Sequence, residues 1–337
     1  MQIRTLREDE LDDWFFFLTR AFRNKQNPPT KSYFERHYFS DPWRDCRGIF
    51  VAVEDGELIG SVRNFTRKIY CCSHEVRTCG IGEVATHENF RRKGIASLLL
   101  EKSISYMLDN QFALSILHTG NASKLYEGLG WKPVTRQFFT RRIPSDLYAP
   151  RDSTLEVSTC GSEIFEENSL DRLMSVYSKS SIKYDGPIVR DNKEYWKKWI
   201  DNETGKVSWN EELRTPRKFS VYLGGTLAGF VVLQFGNESV RIREWSFFSD
   251  QLSDEFDIVD LVLSQICKYY GERELIFTFP APISVFKQHD IVSYDNTTMY
   301  KMISPELVPK NFANMLESDC TEEIRSQRHV FWDTDRF

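Results

Sequence analysis

No stretch of this 337-residue chain is apolar over the roughly 20 residues that a bilayer crossing needs. Its first ten residues hold no apolar signal core. Positive charge is not in excess: 44 Lys and Arg stand against 49 Asp and Glu, a net of −5. That balance argues against a nucleic-acid surface and suits a cationic partner. The seven cysteines (Cys46, Cys71, Cys72, Cys79, Cys160, Cys267 and Cys320) form no Cys-x-x-Cys and no zinc spacing. No metal is expected, and reduced thiols in a cytoplasm are. Neither a Gly-Lys-Ser/Thr P-loop nor a three-glycine dinucleotide fingerprint occurs. What is present, 41% apolar and 28% charged residues, is ordinary for a globular protein of about two domains.

The strongest local signal spans residues 81–97, opening in a strand that starts at Cys79. It begins as a strand, apolar and β-branched through Thr86. It ends as a helix with Ile95, Leu98, Leu99, Leu100, Ile104, Met107 and Leu108 largely on one side. Between them lies Arg91-Arg92-Lys93-Gly94-Ile95-Ala96-Ser97. Gly94 permits a tight turn and close backbone approach. The first amides of the helix have no partner within it, and its dipole favours an anion there. With three cations around it, this turn suits a pyrophosphate. Roughly one strand later comes Asn121-Ala122-Ser-Lys-Leu-Tyr126-Glu-Gly-Leu-Gly130-Trp131.

Upstream, residues 3–6 read as a strand and 8–22 as a helix. Thr30 is placed to cap a second helix, and 48–54 with 58–70 form a hairpin around Asp55-Gly56. The aromatics of the first helix are mostly expected in the core. Residues 113–117 read as the strand after the long helix, with His118 at its end.

Arg-x-x-Gly-x-Ala after a strand, followed by the second motif, resembles motifs A and B of the GNAT superfamily of N-acetyltransferases. The resemblance covers roughly residues 1–142. It implies an α/β fold with a mixed sheet, acetyl-CoA as co-substrate and no metal. It implies that the backbone of Val84, Ala85 and Thr86 pairs with pantetheine. Arg91, Arg92, Lys93, Gly94, Ile95, Ala96 and Ser97 would hold the pyrophosphate. Asn121, with Ala122 beside it, and Tyr126 would flank the thioester, Tyr126 as general acid. A carboxylate at Glu83 would be a general base; from the residues alone, a buried ion pair is an equal reading. Asn121 is also placed to cap its helix, and His118 ranks below the carboxylates.

Residues 143–152 read as a linker. Beyond them, residues 219–231 align without a gap to 50–62, matching Phe50 with Phe219, Gly56 with Gly225, Leu58 with Leu227, Gly60 with Gly229 and Val62 with Val231. Residues 153–303 are therefore expected to be a degenerate GNAT-like unit, with Glu244 about where the first half has Glu83. Residues 249–257 hold three Asp and one Glu, no glycine and no cation, which would repel a pyrophosphate. This half is expected to close the acceptor cleft without binding CoA.

Residues 304–337 remain as a C-terminal segment of helix and strand. The tandem arrangement is similar to the Eis-like acetyltransferases, whose C-terminal aromatic residue puts its α-carboxylate in the active site. N-myristoyltransferases also use a terminal carboxylate on tandem GNAT halves. The resemblance implies Phe337 as general base, with Glu83 the alternative. This sequence is shorter than the Eis-like pattern, and the sterol-carrier-like third domain of that pattern is not expected in it. The expected activity is acetyl transfer to a primary amine of a small or peptidic cationic acceptor in a ternary complex. The alternatives are an acyl-CoA-sensing scaffold and a transferase of longer acyl groups. No nucleic acid or membrane partner is expected, and a homo-oligomer is left open.

Overall fold

The computed structural model describes residues 1–23, 28–143, 154–201, 216–236, 239–248, 259–269, 275–280, 289–317, 329–330 and 335. The first half contains β1 (Gln2–Thr5), α1 (Leu11–Ala21), α2 (Lys31–Phe39), β2 (Ile49–Glu54), β3 (Glu57–Cys71) and β4 (His74–Thr86). It continues with α3 (Ile95–Asp109), β5 (Leu114–His118), α4 (Ser123–Glu127), β6 (Lys132–Pro133) and β7 (Arg136–Ile143). The second half has β8 (Leu155–Cys160), α5 (Glu167–Ser181), a π-helix (Tyr195–Ile200), β9 (Arg217–Leu223), β10 (Thr226–Phe235) and β11 (Val240–Phe247). It ends with α6 (Val259–Tyr269), β12 (Leu275–Pro280), β13 (Ile291–Asp295), β14 (Thr298–Met302) and α7 (Lys310–Glu317). No helix among the described residues is long and apolar enough to cross a membrane.

The internal repeat folds as two hairpins of one register. Phe50 faces Val62 as Phe219 faces Val231, and the pairing slips at equivalent places, Ile59 and Ala228. Asp55 and Gly56 turn the first hairpin, Gly224 and Gly225 the second, all at positive φ. Two successive left-handed residues match the twist of the flanking strands, hence the Gly and Asp.

The strands form two seven-stranded sheets, ordered β1-β2-β3-β4-β5-β14-β6 and β13-β7-β12-β11-β10-β9-β8. The halves exchange strands. β7, expected to belong to the unit ending at residue 142, lies between β12 and β13 of the second sheet. In its stead β14 runs antiparallel to β5, Thr298 opposite His118 and Met302 opposite Leu114. The sequence boundaries near 142 and 303 therefore do not divide the hydrogen-bonded sheets. A strand's pattern reports which faces are buried, not which neighbour it pairs with. Of the expected linker, residues 144–152 lie outside the described residues. So do the acidic stretch 249–257 and Phe337.

The first sheet is covered on both faces. Ile95, Leu99, Leu100 and Met107 of α3 pack on Phe50, Val62 and Ile81. Gly60 lets the helix come this close, since a Cβ there would lie 2.8 Å from Ile95 Cγ2. On the other face Trp14, Phe15, Leu18, Phe34 and Tyr38 of α1 and α2 pack on Val51 and Ala85. Most α1 aromatics are thus core, as expected, while Phe16 is exposed. Each such buried side chain contributes about 1.5–3 kcal/mol.

A third core spans the halves, joining Phe65 and Ile69 of β3 to Tyr195, Trp196 and Trp199. The edge of β3 beyond β2 is filled by the second half: Tyr70 N donates to Pro187 O and Val189 N to Lys68 O. Gly186 has φ 114°, and a Cβ would come 2.5 Å from Val330 O. Cys72 does not continue β3 with Cys71 as a strand pair would; it begins the turn to β4 with φ 50°.

Candidate active site

The basic turn ends in a left-handed residue, Gly94 (φ 79°, ψ 0°), which is the N-cap of α3. Arg92 is also left-handed, at φ 62°. The first helical bond that α3 closes from this cap is Leu98 N to Gly94 O, 3.1 Å. The amides of Ile95, Ala96 and Ser97 precede that bond and belong to the donors a helix leaves unused. Residues 91–94 are exposed, and nothing lies within 4 Å of a Cβ built on Gly94. This is an open cationic nest for an anion.

β4 carries a bulge just before this turn. Ser61 pairs with Ala85 and Arg63 with Gly82, so Val62 alone opposes both Glu83 and Val84. Glu83 takes the left-handed conformation, φ 52°. The extra residue reverses the side-chain alternation. Cys79 and Ile81 face α3, yet Glu83 turns to α2 while Val84 returns to the α3 side. Glu83 Oε1 lies 2.9 Å from His37 Nδ1 and 3.4 Å from Arg63 Nη1, and Oε2 is buried without a hydrogen-bond partner among the described residues. The buried ion pair read as one possibility for Glu83 is present.

Behind Glu83, Asp41 accepts from Arg63 Nη2 at 2.9 Å and from Arg67 Nη1 and Nη2 at 3.1 Å each. Burial would push the Asp41 carboxyl up, but Arg67 and Arg63 hold it below its ordinary value. The Arg67 guanidinium sits over Trp43, Phe65, Tyr195 and Trp199 at 5.1–5.4 Å.

β4 and β5 are parallel neighbours only from Thr78–Leu114 to Ile81–Leu117. Beyond that, no strand pairs with Gly82–Thr86 on the β5 side among the described residues, so the sheet is open between β4 and β5 there. Glu83 is on the α1–α2 face of this opening. Tyr126 is on the other, packed in the α3 cluster against Trp131 at 6.1 Å. Burial alone pushes the Tyr126 phenol up to about 12. Asn121 is exposed and does not cap α4; the N-cap is Ala122, without a side-chain bond, whose N–H donates to Thr119 Oγ1. Asn121 is thereby free of the capping role the sequence suggested. His118 meets Thr298 Oγ1 of the exchanged strand at 3.1 Å.

The second half walls the α2 side. Trp199 lies 4.5 Å from the His37 ring, and Tyr195 stacks on Trp199. These residues form a π-helix, an uncommon form often found at functional sites. Tyr195 OH donates to Asp335 Oδ1 at 3.2 Å, and Asp335 also accepts from Arg190 Nε at 3.0 Å. Burial pushes the Asp335 carboxyl up despite Arg190 beside it. Arg190 in turn holds both oxygens of Glu244, at 2.8 and 3.0 Å. Glu244 pairs opposite Val232, one pair away from the position equivalent to Glu83, and is a buried ion-pair partner. His37, Asp41 and Arg63 were not singled out by the sequence, since no local motif marks them. No group of residues able to hold a metal occurs among the described residues.

Comparison with known proteins gives the family and the fold. The sequence profile of the family described as Acetyltransferase (GNAT) domain matches residues 2–134. An uncharacterized N-acetyltransferase of Archaeoglobus fulgidus is 30% identical over 128 residues, which are 36% of this chain and 84% of the relative. A probable N-acyltransferase of Enterococcus faecalis superposes with a TM-score of 0.67 at 14% identity, covering 91% of this chain and 73% of that one. Eis1 of Mycobacterium abscessus superposes with a TM-score of 0.62 at 12% identity, covering 90% and 74%. The two structures extend the similarity of fold over both halves.

Proposed function

We propose that this chain, which belongs to the GNAT family of acetyltransferases, moves an acetyl group from acetyl-CoA to a primary amine of a small or peptidic cationic acceptor. The observation that carries this reading is the bulge at Glu83 and Val84, set at the opening between β4 and β5 and followed by the Gly94 turn. Acetyl-CoA then lies along the unpaired edge of β4. Its pantetheine runs against Val84, Ala85 and Thr86. Its pyrophosphate meets the amides of residues 94–97 among Arg91, Arg92 and Lys93. Asn121 and Ala122 border the thioester across the gap. An N–H near Val84 polarises the thioester carbonyl, and Tyr126 protonates the departing thiolate.

The acceptor enters from the α1–α2 face and attacks directly in a ternary complex. An ammonium of ordinary pKa, about 10, requires about 4 kcal/mol to be held neutral at pH 7, so a base is useful. Glu83 is the carboxylate on that face. The Phe337 α-carboxylate is the second candidate, because Asp335, two positions earlier in the chain, is buried beside Tyr195. The net charge of −5 suits a cationic acceptor in the cytoplasm.

A panel of primary amines offered with acetyl-CoA, followed by release of the free CoA thiol, tests the reading. Thiol release that needs both enzyme and amine is expected. Tight acetyl-CoA binding without release across the panel would instead mean a sensing or scaffold role, and faster release from longer acyl-CoAs would reassign the acyl group. Glu83→Gln compared with one Gly added after Phe337 separates the two carboxylates, the greater loss of turnover marking the one used.

A further inference from the structure

We propose that His37 receives the proton of the acceptor amine, with Glu83 as the carboxylate that holds it. This rests on the acetyl-transfer reading above and deepens it.

The geometry has four parts. First, the bulge turns Glu83 out of the strand's alternation and onto the α2 face, where Oε1 stands 2.9 Å from His37 Nδ1. A carboxylate in that place fixes which imidazole nitrogen carries the hydrogen: Nδ1–H donates, and Nε2 keeps its lone pair. Second, packing also sets the ring. Tyr33 stacks on it at 5.5 Å and 13°, Phe65 meets it edge-on at 5.6 Å, and Trp199 closes in at 4.5 Å. Nε2 takes no part in any of these restraints.

Third, Glu83 is itself fixed. Arg63 shares Oε1, and Arg63 is tied to Asp41 at 2.9 Å. Fourth, Glu83 Oε2 is buried and unpartnered among the described residues, although its side chain is only 6% exposed. A buried carboxylate oxygen without a donor is costly, and an incoming ammonium N–H would satisfy it. So Oε2 holds the acceptor nitrogen at the pair, and the imidazole takes its proton. Imidazole is the side chain whose ordinary chemistry best matches proton acceptance near neutral pH.

The step balances. One N–H bond of the ammonium breaks, and one N–H bond forms at His37 Nε2, directly or across one water. The electron pair left on nitrogen forms the C–N bond at the thioester carbonyl carbon, and the C–S bond breaks. The CoA thiolate takes its proton from Tyr126, and the second proton shed by the nitrogen returns to Tyr126. Positive charge passes from ammonium to imidazolium, which the Glu83 carboxylate faces. This is the logic by which a carboxylate orients a histidine base. The charged groups around the ring are Glu83 from β4, Arg63 and Arg67 from β3, and Asp41 after α2; the second half contributes the uncharged Trp199 and Tyr195.

The test compares His37→Gln and His37→Ala with the wild type over pH 5.5–9, using acetyl-CoA and an amine the wild type acetylates. His37→Gln is expected to lower kcat/KM for the amine by about 100-fold or more. It should also abolish the acid limb of the pH profile while leaving acetyl-CoA affinity by calorimetry unchanged. Free imidazole at tens of millimolar should restore part of the His37→Ala rate, a recovery that misfolding cannot give. A His37→Gln profile with the wild-type acid limb and a rate within a few-fold would overturn the assignment. A wild type that binds acetyl-CoA but acetylates no amine would overturn the acetyl-transfer reading itself, and with it this one.

Discussion

Trp199, from the second half of the chain, stands 4.5 Å from the ring of His37, which in turn bonds Glu83 at the bulge of the first. One aromatic side chain thus couples the degenerate half to the site. It also lies under the Arg67 guanidinium, 5.2 Å from its carbon. Trp199→Ala is expected to cost about 3–5 kcal/mol of stability, as for other buried Trp truncations. In the fraction that stays folded, amine turnover should fall while acetyl-CoA affinity holds, because the Gly94 turn proposed to hold the pyrophosphate is on the far side of β4. Denaturant unfolding and calorimetry measure the two effects. Unchanged turnover in a folded variant would separate the second half from catalysis.

The Gly94 turn gives a test of cofactor binding. Its φ of 79° strains any residue with a Cβ by about 1–2 kcal/mol, but the Cβ itself meets nothing. Gly94→Ala therefore reports the strain alone, and Gly94→Asp adds a charge aimed at the pyrophosphate. Acetyl-CoA affinity should drop a few-fold for Ala and more than tenfold beyond that for Asp, with closely similar thermal stability in both. Equal affinities of the two variants would take the anion out of this turn.

How much of this was legible in the sequence depends on whether the information is local. The glycine turn before α3 and the two hairpins were, down to the equivalence of Phe50–Val62 and Phe219–Val231, because glycine punctuation and alternation are local signals. The bulge was not. Nothing about a glutamate announces a positive φ, and the alternation through residues 79–86 reads as an unbroken strand. The partners of Glu83 were also hidden, since His37 is 46 residues away and the Arg63–Asp41 pair spans 22. The strand exchange was hidden for a third reason: β7 and β14 have the patterns of strands in either sheet.

Tyr126→Phe deletes one hydroxyl from a buried ring. As the donor to the leaving thiolate, Tyr126 should account for about 100-fold in kcat. Its phenol is pushed up to about 12 by burial, so it remains protonated across the working range. Wild-type kcat should accordingly show no descending limb from this group between pH 8 and 10. Stopped-flow release of CoA thiol gives both quantities. A variant with wild-type kcat would confine Tyr126 to packing against Trp131.

His329 sets an acid limit on stability. Burial, with Arg136 adding to it, lowers its imidazole from 6.5 to about 3, and Tyr300 OH meets its Nε2 at 3.0 Å. The folded protein thus keeps this ring neutral while the unfolded chain protonates it. Its contribution is complete above pH 6.5 and is lost as the pH falls from there toward 3. Between pH 6.5 and 5 the loss amounts to about 2 kcal/mol. Asp335, raised by burial, acts in the opposite sense, so a comparison of variants is needed rather than one slope. His329→Gln should lose less stability than the wild type between pH 7 and 5 in urea titrations. Parallel curves would show that the ring takes up its proton in the fold as readily as in the unfolded chain.

The strand exchange makes a prediction about the first half in isolation. A fragment ending at residue 142 keeps Glu83, the Gly94 turn and Tyr126, together with the whole family match over residues 2–134. It loses β14, and with it the five-residue ladder on the outer edge of β5 from Thr298–His118 to Met302–Leu114. Met299 and Ile303 leave the cluster that packs Tyr126 and Trp131. Lys301 no longer donates to Leu129 O, 2.8 Å, at the end of α4. β7 is left with no second sheet, so the fragment presents two unpaired edges of apolar strand, which favour association between copies. The fragment is expected to elute as aggregate and to lose turnover, and coexpression with residues 143–337 should restore a soluble, active pair. Size exclusion with the amine-dependent thiol assay reads both. A monomeric fragment with the wild-type kcat/KM would mean that β7 folds back beside β5 and takes the place of β14, so that the exchange is not required for the site.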